Sequence, residues 1–546
     1  MNQPRTTLYR GGSVYSPADP FATAMVVSGR HIAWIGSAEA AHAQIAGVDH
    51  VVDLGGALVA PAFVDAHVHV TDTGIALTGV DVASARSLGE LLQAVDAACR
   101  ASRGRPVLGH GWDETAWPEG RPPTRAELDR ASHGGVVYLS RVDVHSAVVS
   151  TALASSLGLA SLPGWDDSGR VEREAHAAVR DATRRDMDPA TRGELQTVAL
   201  RQFASRGVAT VHEMSAPHIA PRQDLSDLLA MAQAPDLPDV VAYRGELAHD
   251  AQQARQLVAE LLEEGCAVAG LAGDLNVDGS IGSRTAAFFE PYADGTTLAG
   301  QDRCGHLYLS PDQVATHLSA CTQAGVQGGF HVIGDAGVAA VAAGLRAAVQ
   351  QVGAAALRAS RHRLEHLEGA DRQTAALLAD LGVSASMQPA FDALWGGTAS
   401  LYAQRLGAVR GPLLNPVGEM AAAGVVLAFG SDSPVTQISP WAGIRAAVFH
   451  QVAEQRISAR AAFAASTRGA HRAALRDEAG VLVPGAEATF AVWEPTELVV
   501  QAPDARVAAW STDARSGTPG LPDVSPGVPL PRCRTTVLRG STLCPA

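Results

Sequence analysis

Between Ala62 and Asp432, short apolar runs that end in polar residues alternate with longer Ala- and Leu-rich runs. In order the short runs are AFVDAHVH, GVATVHE, VVAYRGE, DLNVDGS, GGFHVIGD, HRLEHLE, VSASMQP and VVLAFGSD, eight in all. A strand covered by helices on both faces reads as a near-continuous apolar run, so each is read as a buried strand of a parallel sheet. Strands alternating with helical stretches predict βα units, and eight of them predict an α/β chain folded as a (β/α)8 TIM-like barrel. Residues from about 80 to 205 break the repeat and are expected to form an insertion over the barrel mouth, holding GHGWDETAW and a strand VVYLSRVDVHS.

The two ends of the chain read differently. TLYRGGSVYS, AMVVSGRHIAWIG and HVVDLGGALVAP alternate apolar residues with Gly-rich breaks, as do AGVLVPGAEATFAVWEP and TTVLRGSTL near the other end. This is the pattern of small antiparallel strands. Residues 1–60 and 480–546 are therefore expected to build one composite β-sandwich domain, with residues 61–479 forming the barrel. The Pro-, Gly- and Ser-rich stretch at about 511–531 is expected to be a loop.

Composition narrows the chemistry. A formal net charge of -14 over 546 residues argues against a nucleic-acid or anionic-membrane partner, both of which need a basic face. No segment has the basic start and apolar run of a signal peptide, so a cytoplasmic location is expected. Six scattered cysteines do not form a disulfide framework. The chain has no lysine, and all 42 basic residues are arginines. A Schiff-base lysine, a P-loop lysine and a carboxylated metal-bridging lysine are thereby excluded.

Four strand ends carry candidate metal ligands. His67 and His69 are two apart, so in a strand both imidazoles face the same side, and Asp65 shares that face as an acceptor able to orient a ligand. His331 closes the fifth run, His366 the sixth and Asp432 the eighth. Imidazole and carboxylate without thiolate suit Zn2+ or another borderline divalent metal. Candidate substrate contacts are Arg284, whose planar fork either binds a carboxylate or pairs with a neighbouring acid, and Trp112, Trp117 and His145 of the insertion as pocket walls. His212 and Glu213 end the second run and are expected near the metal.

PAFVDAHVH, GHGW with a following WPEGRPPT, DGSIGSRTAAFFEPY, FHVIGDAG, RLEHLE, SMQP and GSDSPV together resemble the amidohydrolase superfamily, in particular its N-substituted formamide deformylase branch. The resemblance implies a hydrolase of amide-type C–N bonds, acting on an N-acyl or N-formyl amine through a metal-activated water. A deaminase or cyclic-amide hydrolase with the same metal set is the alternative, and a non-catalytic regulatory relative a more distant one. It further implies His67, His69 and His331 as ligands and His366 as a second-metal ligand or carbonyl-polarising group. Asp432 becomes the carboxylate that touches the metal and moves the proton. Many members bridge two metals with a carboxylated lysine, and the matching position here is Asp274. A bridged pair would need Asp274 or Glu213 to share its oxygens, so one ion is favoured over two. Ala62 stands where relatives usually have Gly, and Thr489 where they usually have Asp. A small-molecule substrate is the expected partner, with homo-oligomerisation left open.

Overall fold

The computed structural model describes residues 5–41, 47–185, 187–295, 303–501, 510–511 and 518–544. Eight strands form one sheet in which every pairing is parallel. They are β1 Phe63–Val68, β2 Val208–Ser215, β3 Asp239–Arg244, β4 Val268–Leu271, β5 Gln327–Val332, β6 Arg363–His366, β7 Ser384–Met387 and β8 Leu427–Phe429. Their order in the sheet follows the chain. The last seam closes just beyond β8, where the Asp432 N–H donates to His67 O at 2.8 Å and the His69 N–H to Ser433 O at 2.9 Å. The barrel is thus sealed by the segments that carry three of the candidate ligands.

One strand differs from its expected position. β4 is the preceding run VAGL, and the segment DLNVDGS lies past its end. Gly273 takes a φ of 85°, and Asp, Asn and Gly are poor strand formers, so the regular strand stops before them. The segment is still tied to β5, because His331 N–H donates to Leu275 O at 3.1 Å and Val277 N–H to His331 O at 2.9 Å.

The stretch expected as an insertion carries its own five-stranded sheet, built from Val80–Asp81, Val107–Trp112, Val137–Arg141, Ser146–Val149 and Arg170–Glu172. The single strand expected over VVYLSRVDVHS is instead an antiparallel hairpin, turned at Val142–His145 with Val144 at a φ of 51°. The far end of the expected insertion, Pro189–Ser205, is a helix packed on Val70–Thr78 and leading into β2. It belongs to the barrel's helical layer.

At the opposite end of the barrel, strands from both termini share a sheet: Leu58–Pro61 pairs antiparallel with Phe490–Trp493, which pairs with Cys533–Leu538. A second sheet of Thr6–Arg10, Ala24–Ser28, His31–Gly36 and His50–Asp53 packs on it around Met25, Val27, Ile35, Val59, Phe490 and Val537. Part of the expected loop at 511–531 lies outside the described residues, and Leu521–Pro522 within it forms a short strand. Ala62 is buried and donates its N–H to Thr489 O at 3.4 Å, so the two departures noted above meet where this sheet hands over to β1. Among the described residues no single helix is long and apolar enough to cross a membrane.

Trp493 locks the two units together. Its ring lies 5.5 Å from Phe63 at the start of β1 and 5.5 Å from Trp441, and Trp441 lies 5.6 Å from Phe463. Gly207, at a φ of 82°, precedes β2, and a Cβ there would sit 2.4 Å from the Trp493 ring, so no side chain fits. Trp493→Ala is expected to remove about 3–5 kcal/mol of stability, the range for deleting a buried aromatic, measured as the shift of the urea unfolding curve. A change below about 1 kcal/mol would show that this cluster does not hold the sheet to the barrel.

Candidate metal centre and active site

The ligand cluster is built at the carboxyl ends of the barrel strands, where backbones are rigid and side chains point into the mouth. His67 lies in β1, and His69 is the residue before the helix Val70–Thr78. His366 and Asp432 take left-handed φ values of 68° and 54°, which turn their side chains inward where strands β6 and β8 have ended. A non-glycine residue held there costs of order 1 kcal/mol, so the surrounding structure must enforce it. Asp432 is enforced by the seam bond to His67 O.

His67 Nε2 lies 3.4 Å from Asp274 Oδ1 and 3.5 Å from Asp432 Oδ1. His69 Nε2 lies 3.3 Å from Asp274 Oδ2 and 3.4 Å from Asp432 Oδ1. A tetrahedral ion with bonds of about 2.1 Å has ligand edges of about 3.4 Å, so His67, His69 and Asp274 are spaced as ligands of one divalent cation, with Asp432 beside both histidines. His67 Nε2, Asp274 Oδ1 and Asp432 Oδ1 are buried and have no hydrogen-bond partner. Leaving three such atoms unsatisfied is costly unless something else binds them, and a cation does. A second set, Asp274 with His331 and His366, also has its donor atoms within 4.8 Å of one another. His331 Nδ1 stands 3.7 Å from Asp274 Oδ1. Asp274 therefore lies between the two histidine pairs.

Three imidazoles are fixed from behind. His67 Nδ1 donates to Glu365 Oε2 at 3.0 Å, His331 Nε2 to Gly279 O at 3.2 Å and His366 Nδ1 to Gln388 Oε1 at 2.8 Å. Each bond places the proton on the outer nitrogen and leaves the inner lone pair facing the cluster, the tautomer a metal needs. This favours ligation by His366 over donation to a carbonyl. Glu365 is held in turn by Arg363 at 2.6 Å. Burial raises the Glu365 pKa, but Arg363 and then His67 outweigh it and set the carboxyl at about 2. Burial likewise disfavours charge on His69, yet Asp274 and Asp432 hold its pKa well above the ordinary value. Burial, then His331 and His67, push His366 well below its own. Without a cation the carboxylates draw protons onto His67, His69 and His331, and a divalent cation would take the place of those protons.

Other expected site residues fall into two groups. His145, on the hairpin turn, reaches the cluster with its ring 5.2 Å from that of His331, and burial and His331 lower its pKa to about 4. The rest do not line it. Glu213 accepts the Val70 N–H at 2.7 Å and belongs to neither ligand set, while burial raises its pKa to about 8. His212 points to the other side of β2, where Arg363 lies 3.2 Å from its Nδ1. Asp65 accepts the Ser431 N–H at 2.7 Å and so braces the β8 loop instead of a histidine ring. Arg284 pairs with Asp294 at 2.7 Å through its fork, which is the neighbouring-acid alternative. Trp112 and Trp117 are buried in the insertion's own core and donate to Leu139 O and Ala85 O.

Three positioning residues escaped the sequence reading. Glu365 and Gln388 hold histidines, and Asp278 accepts the N–H groups of Ala287, Ile333 and Gly334 at 2.7–2.9 Å, tying the DGS segment to the end of β5. Period-two alternation in HRLEHLE places Arg363 and Glu365 on one face, and that was the signal available for Glu365. Beside the cluster a cavity of about 840 Å³ opens over Asp274 and His145. That volume lies within the range for small-molecule sites.

Comparison with known proteins agrees with this geometry. The model of the amidohydrolase family matches residues 50–543. An uncharacterized metal-dependent hydrolase from Pyrococcus furiosus superposes with a TM-score of 0.66 at 26% identity, covering 90% of this chain and 99% of that one. Its counterpart from Pyrococcus horikoshii gives 0.69 at 24% identity, covering 90% and 97%. The Arabidopsis thaliana protein LONG AFTER FAR-RED 3 is 28% identical over 73% of this chain and 71% of its own. The putative amidohydrolase YtcJ of Bacillus subtilis is 23% identical over 63% of this chain and 64% of its own length. The matches do not single out the formamide deformylase branch. With a ligand cluster at the strand ends and a family match across nearly its whole length, this chain belongs to the amidohydrolase family of metal-dependent hydrolases.

Proposed function

We propose that the protein hydrolyses an amide-type C–N bond of a small molecule, an N-acyl or N-formyl amine, at a centre that holds zinc. The observation that carries this reading is the convergence of fixed imidazole lone pairs and two carboxylates in one buried cluster. His67, His69 and Asp274 would hold one ion, with Asp432 beside both histidines, and Asp274, His331 and His366 offer a second position. When bound, a divalent cation makes water acidic enough to attack at neutral pH and polarises the carbonyl.

The chain's own groups supply the rest. Asp432 takes the proton from the attacking water and returns it to the leaving nitrogen, a transfer that an amine leaving group requires. His145 is neutral at pH 7 and donates its N–H to the oxygen that becomes negative. Glu365 and Gln388 keep histidine lone pairs aimed inward throughout.

Chelation is expected to abolish turnover of a panel of N-formyl and N-acyl amines, and added zinc to restore it, with release of the free amine as the readout. Release of ammonia from a ring substrate, with no amine from any panel member, would move the protein to the deaminase alternative. Glu365→Gln is expected to weaken metal affinity roughly 10- to 100-fold in competition with a chelator, the usual cost of losing a ligand's rear hydrogen-bond partner. Affinity equal to that of the parent chain would show that Glu365 does not position His67. Asp432→Asn should lower kcat by roughly 10²- to 10⁴-fold, the contribution of positioned general acid–base catalysis. The comparison is made at saturating zinc, with metal content measured beside it, and unchanged kcat would remove Asp432 from the proton path.

A further inference from the structure

The 840 Å³ cavity is larger than a formyl group and a simple amine require. Four side chains that carry formal charge line it: Arg173, Glu174, Arg180 and Asp274. Asp274 belongs to the ligand cluster. Arg180 is committed to Asp72 at 2.6 Å. Glu174 is exposed. Arg173 is the charge left over. It forms no ion pair among the described residues, and its Nε is buried without a hydrogen-bond partner. The nearest acid in sequence on the strand side, Glu172, is taken by Arg170 at 3.2 Å.

Its backbone adds a second observation. Arg173 opens the helix Arg173–Arg185 at a φ of 51°, in the left-handed region that an arginine adopts at a cost. Lining the same cavity are the stacked rings of His306 and Tyr308, with centroids 6.3 Å apart, on a loop fixed by Tyr308 N–H donating to Val277 O at 2.8 Å. The Tyr308 phenol is protonated at neutral pH and so carries a donor hydrogen. A half-buried, unpaired guanidinium beside a phenol hydroxyl, in the cavity that reaches Asp274 and His145, is a receptor for an anion. The planar fork favours a carboxylate.

We infer that Arg173 captures a carboxylate on the amine side of the substrate, so that the substrates are acylated amino acids or related carboxylate-bearing amides. This rests on the proposed amide hydrolysis for its catalytic consequence, but anion capture is measurable without it. N-formylphenylalanine and N-formylphenethylamine differ only in the carboxylate. The zinc-loaded enzyme is expected to prefer the former in kcat/KM by roughly 10- to 100-fold, the worth of a hydrogen-bonded charged group. Arg173→Gln and Arg173→Met should each erase the preference through KM, leaving the neutral substrate within about threefold, a margin that no loss of folding would respect. Equal kcat/KM for the two substrates in the parent enzyme, or a preference that survives both substitutions, overturns the inference.

A binding arm separates this inference from the functional reading. Calorimetry with 3-phenylpropionate and with 3-phenylpropanol is expected to show binding of the acid alone, lost in Arg173→Gln at unchanged metal content. If neither formyl compound is hydrolysed but the acid binds through Arg173, the amide reading fails and the anion site stands. If the acid binds equally well to Arg173→Gln, the carboxylate is held at the metal and the anion site falls.

Discussion

The centre depends on one constraint: each fixed imidazole must present a lone pair inward, so the opposite nitrogen must have a hydrogen-bond acceptor behind it. Glu365, Gly279 O and Gln388 supply these acceptors for His67, His331 and His366. They come from a carboxylate, a main-chain carbonyl and a side-chain amide, on three different segments. The acceptor for His67 is itself held by a buried arginine, so Arg363 acts on the metal site through two hydrogen bonds without touching it. The guanidinium in turn lies over the Tyr243 ring of β3, 4.5 Å from its centroid, which ties the arrangement into the barrel interior.

Barrel closure and site assembly are the same event. The seam bonds His69 N–H to Ser433 O and Asp432 N–H to His67 O, so the backbone that completes the barrel also sets the distance between the first-strand histidines and the last-strand aspartate. Without that seam the 3.4–3.5 Å spacing of His69 and His67 from Asp432 has no reason to persist. Rigidity at the site is therefore inherited from the fold, and strained φ values at His366 and Asp432 are tolerated because several hydrogen bonds over-determine them.

Much of this was legible in the chain. Seven of the eight runs marked strands, because burial on both faces leaves so strong a pattern, and polar residues at their ends marked the ligands. Asp274 is visible only as the residue occupying a lysine's usual place, and it lies past the strand's end because VAGL forms the ladder and the Asp-, Asn- and Gly-bearing run after it does not. The hairpin at Val142–His145 was read as continuous because its turn contains Val144, a β-branched residue that rarely takes a positive φ. Arg284 and the two tryptophans carried chemistry in their side chains but not in their positions, since a guanidinium beside an aspartate and an indole in an apolar core look alike in sequence whether or not a substrate is near.

The division of labour between the barrel and its insertion follows from where each charge is satisfied. Inside the barrel, Arg363 and the ligand carboxylates are answered by protein groups or await a cation, so that part of the site is specific for metal and indifferent to substrate. On the insertion, Arg180 and Arg184 are both spent on Asp72, which fastens the helix Arg173–Arg185 to the first barrel helix. That anchorage is what allows Arg173, at the same helix's start, to stay unpaired: the helix needs nothing from it. His145 brings the other edge of the insertion against His331. On the proposed reading the insertion would meet a substrate twice, its carboxylate at Arg173 and its scissile carbonyl at His145, with the bond to be cut over the barrel's cluster. Changes at Arg173, unlike changes at His145, would then alter which molecule is hydrolysed without disturbing the chemistry that hydrolyses it.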